Sequence, residues 1–123
     1  MKILLTGSNG QLGHDFQKLF NKKSIKYIAT DSKELDITNN EGLKKFFQEN
    51  KGITHIINCA AYNDVDKAET DEKIWVLNAE APEKLAEISK EIGAIFVTYS
   101  TDFVFDGRKK IAYLEGDKTN GLS

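Results

Sequence analysis

Three polar residues, Ser100, Thr101 and Asp102, stand directly after an apolar run at 94–99 that is typical of a buried strand. Hydroxyl and carboxylate groups can donate and accept hydrogen bonds to a polar ligand. Open α/β sheets bind their ligands just outside the carboxyl ends of the strands. These three side chains are therefore candidate ligand-binding groups, and the rest of the chain must form a sheet that positions them.

Glycines at positions 7, 10 and 13 lie between the first apolar run, 2–6, and a helical pattern that begins at Gln11. In this spacing Gly7 permits a tight turn, Gly10 lets the backbone approach a pyrophosphate, and Gly13 lets the helix pack closely on the sheet. The helix N-terminus would then offer free N–H groups to the phosphates. The alternative is an ordinary strand-to-helix turn. No Gly-Lys-Ser/Thr follows, so a P-loop is excluded.

Asp31 stands at the end of the second apolar run, where a dinucleotide-binding fold carries an acidic residue. A carboxylate at this place can accept a hydrogen bond from a ribose 2′-hydroxyl and would repel a 2′-phosphate. The nearby Lys33 could weaken that repulsion. The pattern favours NAD over NADP, and the alternative is a surface aspartate that caps a turn.

The order of elements predicts one α/β unit with a parallel sheet, because short β-branched runs alternate with helical periods. The predicted strands span 2–6, 25–30, 54–61 and 94–99. Three helices are predicted: one that starts at Gln11, one from about 40 to 50, and one from near Pro82 to a cap at Gly93. Leu85, Ile88 and Ile92 form the apolar stripe of the third helix. We expect a Rossmann-like, doubly wound but incomplete sheet with strand order 3-2-1-4 and with 94–99 as an unpaired apolar edge.

Composition excludes several classes of function. The chain has 123 residues, a net charge of -2 and one cysteine, and its pI is near 5.7. This charge does not favour nucleic acid, and an intrachain disulfide is impossible. No apolar run approaches the length of a membrane span, so we expect a cytoplasmic protein without a membrane segment. His14 and His55 have no ligand partners at metal-site spacing, and we predict no metal site.

Five segments together make the chain similar to a known family: TGSNGQLG, ELDITN, INCAAYNDVDKAE, NAEAPEKLA and STDFVFDG. The chain resembles the extended short-chain dehydrogenases and, within them, the dTDP-4-dehydrorhamnose reductase family. Asn-Asp-Val-Asp, where that family more often has Thr-Ala-Val-Asp, is a small departure. The resemblance implies that residues 1–123 are the N-terminal, NAD(P)-binding portion of a Rossmann domain, with the remainder and a substrate domain outside the chain.

The resemblance also implies site residues. Those that would bind the cofactor NADH or NADPH are Gly7, Gly10, Gln11, Leu12, Gly13, Asp31, Asp36, Ile37, Ala60, Ala61 and Tyr62. Thr101 would be the catalytic hydroxyl, Asn78 would lie near the catalytic centre, and Thr101 and Asp102 would contact a dTDP-sugar. Structural alternatives stay open for three of these: Asp36 as a helix cap, Tyr62 as a half-buried loop aromatic, and Asn78 as a helix N-cap. Mg²⁺ is suggested by the family only, since no ligand motif for it is present.

The implied reaction is reduction of the C4 ketone of dTDP-4-dehydro-L-rhamnose, in which a tyrosine donates the proton and a lysine four residues later lowers the tyrosine pKa. None of the four tyrosines is followed by lysine at that spacing, and by the resemblance the pair would come just past Ser123. The chain is then either a fragment or a natural truncation. A non-catalytic nucleotide-binding or regulatory module is the main alternative, and an epimerase or dehydratase is disfavoured by STDFVFDG. The exposed edge would pair with the missing half or form a homodimer.

Overall fold

The computed structural model describes residues 1–62 and 72–121 of the chain. In chain order the main elements are β1 (Lys2–Thr6), α1 (Gln11–Lys22), β2 (Lys26–Thr30), α2 (Asn40–Glu49), β3 (His55–Asn58), α3 (Glu72–Trp75), α4 (Ala81–Ile92) and β4 (Ile95–Thr98). A π-helical turn, Val76–Glu80, joins α3 to α4, and a 3₁₀ turn, Asp102–Val104, follows β4. The predicted α/β class is confirmed.

The four strands form one parallel sheet, but their order is β2-β1-β3-β4 and not the predicted 3-2-1-4. The predicted order places the third strand, 54–61, outside β2, whereas β3 pairs with β1. Between β2 and α2 the segment at 31–39 forms turns, with the Leu35 N–H donating to the Asp31 carbonyl and the Asn39 N–H donating to the Asp36 carbonyl. The connection through α2 then returns the chain to the other side of β1. This arrangement puts the point where the winding direction reverses between β1 and β3.

Both faces of the sheet are covered, as the continuous apolar run of β3 predicts. On one face Leu4 and Ile56 pack with Leu43 and Phe47 of α2 and with Leu85 of α4. The other face has its own apolar cluster, formed by Ile3, Leu5 and Ile57 of the strands with Phe20 of α1. Helices on both faces make the sheet doubly wound.

The helix ends follow local chemistry. Asn39 caps α2 by accepting a hydrogen bond from the Gly42 N–H at 3.0 Å. Pro82 lies in the first turn of α4, where its missing N–H costs nothing. Gly93 ends that helix in the left-handed region, with φ 68°. The predicted start near Pro82 is confirmed, although the short helix α3 at Glu72–Trp75 was not predicted. The predicted place of Ile92 in the buried stripe is wrong, because Ile92 is 42% exposed.

The carboxyl ends of the strands carry a polar row in an otherwise apolar sheet. Thr30, Thr6, Asn58 and Thr98 are aligned neighbours across the four strands. The Thr6 hydroxyl donates to Asn58 Oδ1 at 2.6 Å, and Asn58 Nδ2 donates to Thr98 Oγ1 at 3.2 Å. Thr6 and Asn58 are both buried. Their hydrogen bonds satisfy polar groups whose burial would otherwise be costly.

β4 is one of the two edges of the sheet, since among the described residues it pairs with β3 alone. Ile95 at its start is 59% exposed. The predicted apolar edge is thus confirmed, although its neighbour is β3 and not β1. β3 itself ends at Asn58, three residues earlier than predicted, because the backbone at 59–61 leaves the ladder to border the glycine loop.

Candidate functional site

A cleft of about 250 Å³ opens where β1, β2 and β3 end. Seven of the predicted cofactor residues line it: Gly7, Gly10, Asp31, Asp36, Ile37, Ala60 and Ala61. The other predicted site residues, Gln11, Leu12, Gly13, Tyr62, Asn78, Thr101 and Asp102, do not line this cleft. Several lining residues are not among those predicted from the sequence, among them Asn9, Cys59 and Leu77. Asn9 could have been found from its place inside the glycine loop, whereas Leu77 lies in a helical run without a distinguishing signal.

Gly7 and Gly13 are required by the fold of this loop. Gly7 has φ 68°, and a Cβ on it would lie 2.5 Å from the Ala60 backbone nitrogen. A Cβ on Gly13 would lie 2.4 Å from the Gly7 carbonyl oxygen and 2.8 Å from Ser8 Cα. Gly7 therefore makes the predicted turn and also packs against the backbone after β3. Gly13 brings α1 against the loop itself, where the sequence analysis expected contact with the sheet.

Gly10 differs from these two, because nothing in the described residues requires a glycine there. Its φ of -77° and ψ of 168° suit any residue, and a Cβ would meet only the Gly7 carbonyl oxygen, at 3.4 Å. Gly10 is also the N-cap of α1, and it supplies no side-chain cap; the first turn carries no acidic residue. The loop thus leaves an open approach to a helix N-terminus, which favours an anion.

Asp31 borders the cleft beside the glycine loop, and its carboxylate is held from two sides. Oδ1 accepts from the Lys33 N–H at 2.8 Å, and the Asn9 side-chain amide donates to Oδ2. Hydrogen bonding with the Glu34 side chain, and next the Lys33 N–H, keeps the pKa of Asp31 below its usual value. Asp31 is therefore a carboxylate at neutral pH, available to accept further hydrogen bonds from a ligand.

Asp36 does not cap α2, which was the alternative for this residue. Its Oδ1 accepts from the Thr38 N–H at 2.9 Å and from the Thr38 hydroxyl at 2.6 Å, while Asn39 makes the cap. Ile37 is 4% exposed and belongs to the apolar core beside α2. A second cavity of about 270 Å³ lies against α2 and shares Leu35 and Asp36 with the cleft.

The wall after β3 is fixed at both ends by asparagine side chains. Asn58 Oδ1 accepts from the Ala60 N–H at 3.3 Å. Asn78, in the π-helical turn, accepts from the Tyr62 N–H at 2.8 Å and donates to the Tyr62 carbonyl at 3.0 Å. Asn78 is therefore not an N-cap. It holds the main chain that borders the cleft.

Thr101 lies three residues beyond the end of β4 and caps the 3₁₀ turn, with its Oγ1 accepting from the Phe103 N–H at 3.2 Å. The hydroxyl donates to Asp102 Oδ1 at 3.3 Å, and both side chains are exposed. From its place in the sequence we expect the end of the strand itself to fix this hydroxyl. The cap of the turn holds it instead.

Burial raises the pKa of two further ionisable groups, Cys59 in the cleft and Tyr99 after β4. Burial raises the pKa of the Cys59 thiol to about 11, so the thiol stays protonated at neutral pH. Burial also raises the pKa of Tyr99. Residues 1–62 and 72–121 contain no cluster of three or more acidic, histidine or cysteine side chains suited to a metal ion. In the same residues no helix is both long enough and apolar enough to span a membrane, and a cytoplasmic location stays a prediction.

Comparison with known proteins identifies the family. The sequence pattern described as the RmlD substrate binding domain matches residues 1–123. The chain belongs to this family. Among curated relatives, the dTDP-4-dehydrorhamnose reductase of Burkholderia thailandensis is 41% identical over 121 residues, and that of Salmonella typhimurium is 36% identical over 127 residues. These matches cover 97% and 100% of the chain.

Solved structures of similar proteins share the fold closely. The dTDP-4-dehydrorhamnose reductase of Clostridium acetobutylicum superposes with a TM-score of 0.94 at 45% identity, over 100% of this chain and 44% of that one. The reductase of Bacillus anthracis, solved in complex with NADP, gives 0.88 at 37% identity, over 96% and 42%. The chain likewise spans 40% of the Burkholderia relative and 42% of the Salmonella relative. It therefore corresponds to less than half the length of these relatives.

Proposed function

We propose that residues 1–123 form the N-terminal, cofactor-binding portion of an NAD(P)H-dependent reductase that converts dTDP-4-dehydro-L-rhamnose to dTDP-L-rhamnose. Membership of the RmlD family and the named activity of its relatives support the substrate. The observation that carries the proposal is Gly10, a glycine that neither backbone conformation nor packing in the described residues requires. A pyrophosphate that must come close to the backbone at the start of α1 explains it.

The residues around the cleft have the chemistry that a dinucleotide needs. The N–H groups of Gln11, Leu12 and Gly13 in the first turn of α1 would bind the pyrophosphate. The Asp31 carboxylate would accept from a ribose hydroxyl, and Asp36 with Ile37 would border the adenine. Ala60, Ala61 and Tyr62 would line the rest of the cofactor, on the wall that Asn58 and Asn78 hold. The bound cofactor would supply a hydride.

Thr101 would polarise the substrate ketone. Its hydroxyl proton is directed at Asp102 Oδ1 over 3.3 Å, a long hydrogen bond that a substrate carbonyl oxygen can replace. Asp102 would then bind the sugar nucleotide. Asn78 would contribute to the catalytic centre indirectly, through its hydrogen bonds to the Tyr62 main chain. None of Tyr27, Tyr62, Tyr99 and Tyr113 has a lysine four residues later. We assign the proton donor to a Tyr-x-x-x-Lys pair outside residues 1–123.

The choice between NADH and NADPH depends on Asp31. Its carboxylate favours a free 2′-hydroxyl over a 2′-phosphate, whereas the Bacillus anthracis relative was solved with NADP. We propose that the chain accepts both cofactors, with Asp31 weakening NADPH binding. Mg²⁺ has no support from the described residues, and we assign it no role.

A second candidate is a nucleotide-binding module without turnover. The observation that favours it is the missing Tyr-x-x-x-Lys motif in residues 1–123. The codons after Ser123 in the gene distinguish the two proposals. A Tyr-Gly-x-x-Lys segment within the next few residues supports the reductase, and an open reading frame that ends at Ser123 supports the module.

Calorimetric titration of the 123-residue chain with NADH and NADPH tests the binding site that both proposals share. Gly10→Val should reduce affinity by about 100-fold or more, because a β-branched side chain would occupy the pyrophosphate approach while its φ and ψ remain allowed. Gly116→Val is the matched control, since a Cβ there meets nothing within 4 Å and lies outside the cleft. Unchanged affinity in the Gly10 variant would refute the loop assignment.

A further inference from the structure

The turn that carries Thr101 is short and exposed. β4 ends at Thr98, and the 3₁₀ turn spans only Asp102–Val104. Thr101, Asp102 and Phe103 are all exposed. Burial does not fix the direction of the Thr101 hydroxyl, which depends on the cap of this exposed turn, so contacts that hold the turn itself also bear on the hydroxyl.

Such contacts come from the segment at 120–121, which returns to the turn from the loop that follows it. The Asn120 N–H donates to the Val104 carbonyl at 2.9 Å. A Cβ on Gly121 would lie 2.8 Å from the Phe103 carbonyl oxygen, so the two backbones lie against each other. The turn is thus braced by a segment other than β4.

Asp106 holds the returning segment in place. Its Oδ2 accepts from the Asn120 side-chain amide at 3.2 Å. Its Oδ1 accepts from the Arg108 N–H at 3.0 Å and from the Tyr113 hydroxyl at 3.1 Å. The Arg108 N–H, followed by the Asn120 amide, keeps the pKa of Asp106 below its usual value. All these bonds are made to a charged acceptor, which strengthens them.

The loop between Asp106 and Asn120 is closed by contacts within itself. The Tyr113 ring stacks on Phe105, with ring centroids 4.1 Å apart and an interplanar angle of 12°. The Tyr113 hydroxyl also accepts from the Lys109 N–H at 3.2 Å, and the Lys109 ammonium pairs with Asp117. The loop therefore surrounds the Asp106 carboxylate with stacked and hydrogen-bonded side chains.

We propose that Asp106 is a positioning residue for Thr101: through Asn120 it braces the turn and so fixes the direction of the Thr101 hydroxyl. This inference rests on the proposed function for the role of Thr101 itself. It predicts that the turn needs one carboxylate and one amide at positions 106 and 120. Exchanging the two side chains should therefore preserve their hydrogen bond, whereas changing one alone should break it.

The test uses three variants of the 123-residue chain: Asp106→Asn, Asn120→Asp, and the double variant that exchanges the two side chains. Asn120→Asp places a second carboxylate opposite Asp106, so the hydrogen bond between the two side chains should be lost. The exchanged pair restores one amide donor opposite one carboxylate. Asn21→Asp on α1 is the control for the added charge, because a carboxylate there can still accept from the Tyr27 hydroxyl. The readout is amide hydrogen exchange by NMR, without any cofactor.

We expect exchange at the amides of Phe103, Val104 and Asn120 to rise at least about tenfold in Asn120→Asp and to return to within about threefold of the parent in the exchanged pair. The Asn21 control should leave these amides unchanged. Unchanged exchange in Asn120→Asp, or no recovery in the exchanged pair, would each overturn the proposal.

An activity measurement separates this inference from the proposed function. In a polypeptide that carries the Tyr-x-x-x-Lys pair, Asn120→Asp should lower kcat about tenfold at unchanged cofactor KM, and the exchanged pair should recover it. Recovered exchange without recovered kcat would also contradict the positioning role. If the parent polypeptide reduces no dTDP-4-dehydrorhamnose, the proposed function fails, while the exchange rates still decide whether Asp106 braces the turn.

Discussion

Asn78 binds both the N–H and the carbonyl of Tyr62, at 2.8 and 3.0 Å, across sixteen residues of sequence. A single side-chain amide thereby fixes the main chain where the wall of the cleft ends. An aspartate could accept from the N–H but could not donate to the carbonyl, and an alanine could do neither. Replacing Asn78 by aspartate or by alanine therefore removes one or both hydrogen bonds and measures how much they contribute to stability.

Asn78→Asp should lower the free energy of unfolding by about 1 kcal/mol, and Asn78→Ala by about 1–3 kcal/mol, since one or both hydrogen bonds are lost. Urea denaturation followed by circular dichroism measures both values. Nucleotide affinity should fall in the same order. If both variants are as stable as the parent, the two hydrogen bonds contribute nothing to the fold.

Asp31→Asn tests cofactor choice. The change keeps the acceptor oxygen for the Lys33 N–H and removes the charge that opposes a 2′-phosphate. The ratio of NADPH to NADH affinity should rise by about tenfold, the effect of about 1.4 kcal/mol. Glu87→Gln on α4 removes the same charge from an exposed pair with Lys84 and should leave the ratio unchanged. A constant ratio in the Asp31 variant would make this carboxylate a turn residue only.

The exposed edge at β4 should make the 123-residue chain self-associate at micromolar concentration, because unpaired strand groups pair with another chain. Ile95→Lys, which places a charge on the edge, should give a monomer by light scattering. Ile111→Lys is the control, since Ile111 is 72% exposed in a loop and lies away from the sheet. A parent chain that is already monomeric would contradict the edge argument.

The stability of the loop around Lys109 should decrease at acid pH, when Asp117 becomes protonated. The Lys109 ammonium, followed by the Leu114 N–H, keeps the pKa of Asp117 below its usual value. A lowered pKa stabilises the loop above the ordinary Asp value of about 3.9, and this contribution is lost as pH falls through the lower, folded value. The Leu114 amide, which donates to Asp117 at 2.7 Å, should report a midpoint below about 3.9 in an NMR titration. Asp117→Asn should abolish the transition, and a midpoint above that value would reverse the assigned sign.

The 123-residue chain by itself should reduce no ketone at a detectable rate, because its residues include no Tyr-x-x-x-Lys pair to protonate the product alkoxide. Without a positioned acid we expect a loss of about 100-fold or more. The assay follows cofactor absorbance with dTDP-4-dehydrorhamnose. Robust turnover by residues 1–123 would mean that one of the four tyrosines acts alone, and Tyr62 and Tyr99 would be replaced first.

The parts of the fold that depend on local chemistry were predictable from the sequence. Glycine spacing indicated the loop at Gly7, apolar periods indicated the helices, and Gly93 marked the end of α4. The strand order was predicted wrongly, because the apolar pattern of 54–61 shows that this strand is buried but not on which side of β1 it pairs. The link from Asn78 to Tyr62 and the brace from Asp106 to Asn120 join positions without a periodic relation, so no sequence pattern indicates them.

The polar row at the strand ends also fixes the register between β1 and β3. Ile3, Leu4 and Leu5 are all buried, and so are Ile56 and Ile57, so apolar contacts alone distinguish poorly between neighbouring registers of β1 and β3. A shift by one residue would place the Asn58 amide opposite Leu5 in place of Thr6. A buried amide without its partner costs about 1–3 kcal/mol. One amide and one hydroxyl thus select which of several similar pairings becomes the native sheet.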